Sequence, residues 1–249
     1  MRASLPPVSV TRLLAIMTLV ILWEIGGHIG NALFISPPSS VLTRGVEIFL
    51  QPGVQKAMFT TFWELALAFA IAVAVGFVIG LAVAASNFTY RNLFPIIMMI
   101  YAIPQVTVLP LFILYFGSGP ASKVAFGVSH GMFPILINVV AGVIGVRPIL
   151  LTSARSMGAG RWGIFKRITF PYMVPSLFTG MRLGMSATLL GVIIAELYVS
   201  SGGIGFYTLQ FTESFRPDRL FALIGALALM AILFNETVRR AELRLSAWR

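Results

Sequence analysis

The sequence predicts an all-α, polytopic membrane protein of about six transmembrane helices. Three observations predict it. Of 249 residues, 58% are hydrophobic and only 10% are charged, against roughly 25% charged in soluble domains. Mean hydropathy is +0.93. Six separate apolar stretches each approach or exceed the ~18 residues that cross a hydrocarbon core. A soluble fold of this size has no means of covering so much apolar surface, whereas lipid removes the need.

The first span is expected from Arg12 to Ile29. Arg2 and Arg12 precede it as basic residues precede the core of a signal peptide. The run is long, however, and Glu24-Ile25-Gly26-Gly27-His28 follows instead of a small-residue cleavage site, so a retained helix is expected. The remaining spans are expected from Thr61 to Ala85, Phe94 to Phe116, Val124 to Val146, Pro175 to Val199 and Leu220 to Val238. Between the first two lie Pro37-Pro38 and an amphipathic run around Val41 to Leu50. Between the last two lies Ser200-Ser201-Gly202-Gly203-Ile204-Gly205. No linker, low-complexity tract or 20–50-residue repeat interrupts the chain, which reads as one domain over 1–249.

The net charge of +10 raises the question of nucleic acid. Its distribution answers it. With the N-terminus inside, Arg2, Arg12, Arg91, Arg147, Arg155, Arg161, Lys166, Arg167, Arg182, Arg239, Arg240, Arg244 and Arg249 fall on the inner side. Arg44, Lys56, Lys123, Arg216 and Arg219 fall outside. Basic residues accumulate on cytoplasmic loops, so both termini are expected to be cytoplasmic. Spread over several inner segments, this charge forms no nucleic-acid surface.

Enzyme chemistry is not expected. There are no cysteines, and two histidines, His28 and His130, are too few for an ordinary metal centre. No H-E-x-x-H motif occurs. The single aspartate, Asp218, lies in an outer connection far from His130, so no Ser-His-Asp triad assembles. No Gly-Lys dipeptide exists, so there is no Walker A loop and no P-loop ATP hydrolysis. The chain itself is expected to bind no cofactor and no metal.

Within the spans, small residues four apart are candidate close contacts: Gly76 and Gly80, Gly127 and Gly131, Gly180 and Gly184. Prolines at Pro95, Pro104, Pro110, Pro134 and Pro175 remove backbone donors, and Pro104 with Pro110 predicts a bent third span beside a pathway or a packing contact. Ionisable residues in spans are candidates for function. Arg182 is expected to snorkel to the inner interface, and Glu196 to face a pathway or cap backbone near Ser200. They stand fourteen residues apart, roughly 21 Å along a helix, and cannot pair within it. Glu24 and Glu64 are expected at the interface. His130 is expected to bond across a helix interface, with proton transfer as the lesser possibility.

The connection from Arg147 to Tyr172 carries five basic and no acidic residues. Thr152-Ser153-Ala154-Arg155 reads as helix, Gly158-Ala159-Gly160 as a reversal, and Arg161 to Phe170 as a second short helix ended by Pro171. Leu151, Ala154 and Met157 share one face, and Trp162, Phe165 and Ile168 or Thr169 another. Such a basic amphipathic pair suits lipid headgroups or a protein groove.

This stretch resembles the EAA loop of ABC-importer permeases, with the pattern E-A-A, three residues, G, nine residues, I-x-L-P. Gly158 is followed by nine residues and then Ile168-Thr169-Phe170-Pro171. Gly180-Met181-Arg182, Ala195-Glu196, Gly202 to Phe206, Pro104, Pro110, Phe116-Gly117 and Ser122-Lys123 are similar to that family too. The likeness spans roughly residues 35–240 and is greatest to its nitrate/sulfonate/taurine branch, with the permease core over about 55–240. It departs at Thr152-Ser153-Ala154, where the acidic residue is missing.

The resemblance implies a multi-pass protein of the bacterial inner membrane whose two copies, as a homodimer, form a pathway. A separate ATP-binding cassette ATPase would hold ATP and Mg, and an extracytoplasmic binding protein would deliver a small solute such as a sulfonate, nitrate or taurine. Residues 152–167 would form the coupling helix, with Thr152, Ser153, Ala154, Arg155, Gly158, Arg161, Trp162, Lys166, Ile168 and Pro171 at the ATPase contact. An ATP-independent carrier or channel is the alternative, but the inverted repeats common in such proteins are not visible.

Overall fold

The computed structural model describes residues 8–30, 34–199 and 202–245. Arg2, Arg249, Ser200 and Ser201 lie outside them. The described residues are mostly helix, with no strand among them. In order come α1 (Val8–Ile29), α2 (Pro38–Phe49), α3 (Pro52–Ala84), α4 (Asn87–Tyr101), a 3-10 turn (Gln105–Val108), α5 (Leu109–Phe116) and α6 (Pro120–Ile144). Then follow α7 (Pro148–Ser156), α8 (Arg161–Ile164), a π turn (Phe165–Thr169), α9 (Phe170–Tyr198), α10 (Ile204–Glu213) and α11 (Pro217–Leu245). Proline opens most of these helices, its fixed φ suiting the first turn and its missing N–H costing nothing there.

Five helices are long and apolar enough to cross a membrane, and α4 with α5 is a sixth candidate bent by 82°. Helix packing decides whether that bent pair crosses. Residue numbers rise together along the contact of α3 with α6: Glu64 meets Lys123, Gly76 meets Met132 and Ile135, and Gly80 meets Leu136 and Val139. The two helices are therefore parallel. Chain leaving the end of α3 must return to the other side before α6 begins, so α4 and α5 make one broken crossing. The break falls at Ala102 to Pro104, where Ile103, as the residue before proline, is disfavoured in helix. Pro110 kinks nothing, because it sits in the first turn of α5.

The core is a triplet of α3, α6 and α9, with α9 antiparallel to α6. All three glycine pairs sit in it. A Cβ on Gly76 would lie 2.7 Å from the Met132 carbonyl, one on Gly131 would lie 1.9 Å from Thr188 Oγ1, and one on Gly184 would lie 2.6 Å from Ile135. Without a hydrophobic force between helices in lipid, this backbone proximity is what holds them. Ala68, Ala72, Ile135, Val139 and Met173 fill the remaining space.

Several spans run past their expected ends: α6 begins at Pro120 instead of Val124, and α11 covers Pro217–Leu245 instead of Leu220 to Val238. α3 begins at Pro52 instead of Thr61, so Lys56 lies in helix. Pro171 does not end the segment that starts at Arg161, which continues through the π turn into α9 and reaches Tyr198. The Phe170 N–H donates to the Phe165 carbonyl, five residues back. That wide turn makes room for a proline ring that would otherwise press on the preceding turn.

α1 stands apart. Its central window is only 6% buried. It is pinned at its C-terminal end, where Gly27 abuts Pro37, Trp23 Nε1 donates to the Ser36 carbonyl at 3.1 Å, and Glu24 accepts from Ser39 Oγ at 2.6 Å.

Candidate functional site

Two regions carry chemistry, at opposite ends of α6 and α9. The first is the connection between those helices. α7 ends in a Schellman closure: the Gly158 N–H donates to the Arg155 carbonyl at 2.9 Å and the Ala159 N–H to the Ala154 carbonyl at 3.0 Å. Gly158 has φ +78°, which a residue with Cβ adopts only under strain. The turn is thus set by local hydrogen bonds. Ala154 faces inward and is buried. Thr152, Ser153, Arg155 and Arg161 face out. Met157 is 79% exposed and Trp162 73%. Met157 therefore does not share the buried face with Ala154, because the helix stops one residue earlier. Trp162 stacks on Phe165 with centroids 5.6 Å apart. Lys166 is exposed, Ile168 is half-buried within the π turn, and Pro171 is half-buried at the start of α9. Exposed apolar side chains ringed by uncompensated positive charge are chemistry for a partner with an apolar groove and an acidic rim.

The second region is buried. Lys123, Glu64, Thr61 and Glu196 have essentially no exposure. Lys123 Nζ donates to Glu64 Oε1 at 2.9 Å and to the Gly202 carbonyl at 3.0 Å. Thr61 Oγ1 donates to Glu196 Oε1 at 2.7 Å and accepts from the Ile204 N–H at 2.8 Å. Glu196 Oε2 accepts from the Gly205 N–H at 2.8 Å. Glu64 Oε2 has no partner among the described residues. Glu64 is thus an interior residue and not an interfacial one: its helix starts twelve residues earlier, at Pro52. Lys123 is likewise inside α6 and not in an outer connection. Glu196 caps backbone as expected, at Gly205. The missed signal was coincidence of level: three charges of mixed sign stand at the same end of three spans, and in an apolar medium such charges pair.

The other candidates stay separate. Arg182, partly exposed toward the inner end of α9, pairs with Glu242 of α11 and ties that helix to α9. His130 Nδ1 bonds within its own helix, to the Phe126 carbonyl at 3.1 Å, and its ring packs on Phe126 and Gly191. Pro104 and Pro110 flank the break between α4 and α5, where a cavity of about 220 Å3 borders Gln105, Ser129 and Phe133. Gly127-Val128-Ser129-His130-Gly131 has the G-x-S-x-G spacing of a nucleophile elbow. It lies inside uninterrupted helix, however, and Ser129 Oγ donates to the Phe126 carbonyl at 2.7 Å, so no nucleophile is poised there. Among the described residues no cluster of three His, Cys, Asp or Glu could hold a metal.

Residues 72–245 match the family described as binding-protein-dependent transport system inner membrane component. The chain is 28% identical over 93% of its length to 84% of the putative aliphatic sulfonates transport permease protein of Bacillus subtilis. It is 29% identical over 88% of its length to 81% of the taurine transport system permease protein of Escherichia coli. It is 28% identical over 84% of its length to 80% of a nitrate import permease protein of Synechocystis. Among solved structures, an inward-facing MetNI methionine ABC transporter chain aligns with a TM-score of 0.63 at 18% identity, covering 82% of this chain and 96% of that one. That likeness shows the fold.

Proposed function

The chain belongs to the family of binding-protein-dependent transport inner-membrane components, as an ABC-importer permease of the sulfonate/taurine/nitrate branch, and we propose that the turn between α7 and α8 couples it to a separate ATPase. One observation carries this reading. The turn is locally rigid, exposed and wholly basic, and it joins α6 to α9, two of the three core helices. Movement imposed on it reaches the core with little slack. ATP and Mg belong to the partner subunit in this scheme, and the chain acts as a transporter subunit and not as an enzyme.

The side bearing α7 also bears Arg91 at the start of α4 and Arg239, Arg240 and Arg244 at the end of α11. Positive charge marks it as cytoplasmic. Six crossings then return both termini to that side. The opposite face, with α2 and α10, receives a binding protein.

Two copies form the pathway. Within one copy, the cavity of about 820 Å3 between α2, α3 and α11 is lined by apolar side chains alone, which suits acyl chains and not a hydrated solute. The substrate is a small sulfonate, nitrate or similar solute, on the strength of the relatives' transport names.

Affinity purification from native membranes in mild detergent tests the assignment. A P-loop ATPase recovered near one-to-one is the expected result. Charge reversal at Arg155 and Arg161 should abolish its recovery. An ATPase that stays bound to that variant, or none with the unaltered chain, overturns the coupling assignment.

A further inference from the structure

One turn at the far end of α9 is held by four buried polar side chains from three helices. Lys123 of α6 holds the Gly202 carbonyl, Thr61 of α3 holds the Ile204 N–H, and Glu196 of α9 holds the Gly205 N–H. Glu64 of α3 holds Lys123 in place. The turn is shaped for this grip. Gly202 and Gly203 have φ +109° and +104°, and a Cβ on Gly203 would lie 2.0 Å from Glu196 Oε1.

We propose that Lys123, Glu64, Thr61 and Glu196 are positioning residues that latch the Gly202–Gly205 turn across the ends of α3, α6 and α9, and that this latch keeps ATP hydrolysis by the coupled ATPase low until the turn is displaced. The second half rests on the coupling assignment above. Three arguments support the latch. First, the same helix segment, Arg161–Tyr198, runs from the basic turn on one side to Glu196 on the other, so what is fixed at one end constrains the other. Second, an apolar pair of similar volume would hold three helices at least as firmly as a buried ion pair. Third, the turn is held by three single hydrogen bonds, to the Gly202 carbonyl and to the Ile204 and Gly205 N–H groups, a grip that can be released without unfolding a helix. A polar contact retained where an apolar one would serve is the form suited to opening.

The test uses the full chain with its co-purified ATPase in nanodiscs. The double variant Glu64→Leu/Lys123→Met replaces the pair with apolar volume and releases Gly202. With the Gly202 carbonyl free the turn opens more often, so amide hydrogen exchange at Ile204 and Gly205, whose N–H groups are held by Thr61 and Glu196, should quicken by about tenfold. Basal ATP hydrolysis should rise several-fold, while recovery of the ATPase stays unchanged. Thr61→Val, which is nearly isosteric, should move both readouts the same way. Unchanged exchange shows that these side chains do not hold the turn, and faster exchange with unchanged hydrolysis shows that the turn does not restrain the ATPase; either overturns the proposal. If no ATPase accompanies the unaltered chain, the coupling assignment has failed separately. The exchange rates of the chain alone then still decide whether the turn is latched.

Discussion

α6 and α9 end in opposite ways. At one end, charge is paired, buried and closed around backbone: Lys123, Glu64 and Glu196 have essentially no exposure. At the other, charge is single-signed and open: Arg155 and Arg161 face out beside Met157 and Trp162, and no acidic residue lies in the connection. The difference teaches where each kind of interaction draws its strength. The buried end depends on partners within the chain, so losing one leaves an uncompensated charge in an apolar medium. The open end is stable alone and incomplete only in its contacts.

Removing one partner at the buried end should therefore have the largest effect. Lys123→Ala strands Glu64 and should cost about 3–5 kcal/mol, the usual price of an orphaned buried charge. Thermal unfolding in detergent, or loss of folded protein in the membrane fraction, measures it. A change below about 1 kcal/mol would erase the contrast between the ends. Next comes the triplet between them. Gly131→Val places a side chain against Thr188 and the Gly184 carbonyl and should cost about 1–3 kcal/mol through overpacking. Thermal unfolding should show the loss, with Gly225→Ala, whose added methyl meets nothing outside its own helix, as the control that should not destabilise. Smaller again is Gly158→Ala. It strains the left-handed residue that closes α7, at about 1 kcal/mol, and hydrogen exchange at Ala159 reports it. The smallest effect on stability belongs to the open end. Met157→Glu with Trp162→Glu should leave the melting temperature within the scatter of surface substitutions, about 0.5 kcal/mol, yet abolish ATPase recovery. A large fall in melting temperature would show that these side chains are structural and that the end is not open.

The sequence made the open end legible and the buried end nearly invisible, for a physical reason. Spans declare themselves through local composition, and the Gly158 turn through residues that bond to near neighbours. The three glycine pairs were equally plain, since spacing along one helix sufficed. The buried cluster depends on pairs 59 and 135 residues apart in sequence. Each member alone resembles a charge near an interface, which puts Glu64 and Lys123 at the surface when the sequence is read by itself. The parallel run of α3 and α6, which settles that α4 and α5 cross together, was likewise a property of two helices and of neither alone. The pairing of Arg182 with Glu242 belongs to the same class.

The π turn at Phe165–Thr169 has a consequence for aim. A wide turn of this kind carries one residue more than an α-helical turn would, and each residue of an α-helix advances the side-chain direction by about 100°. Everything before it, Arg161 and Trp162 included, is out of phase with the ridges of α9 by that angle. The rotation costs no length and breaks no chain, and it is encoded in a single residue. Deleting one residue between Phe165 and Thr169 would restore the phase and swing Trp162 about a quarter-turn around the axis, leaving the composition of the exposed face almost unaltered and its bearing wrong.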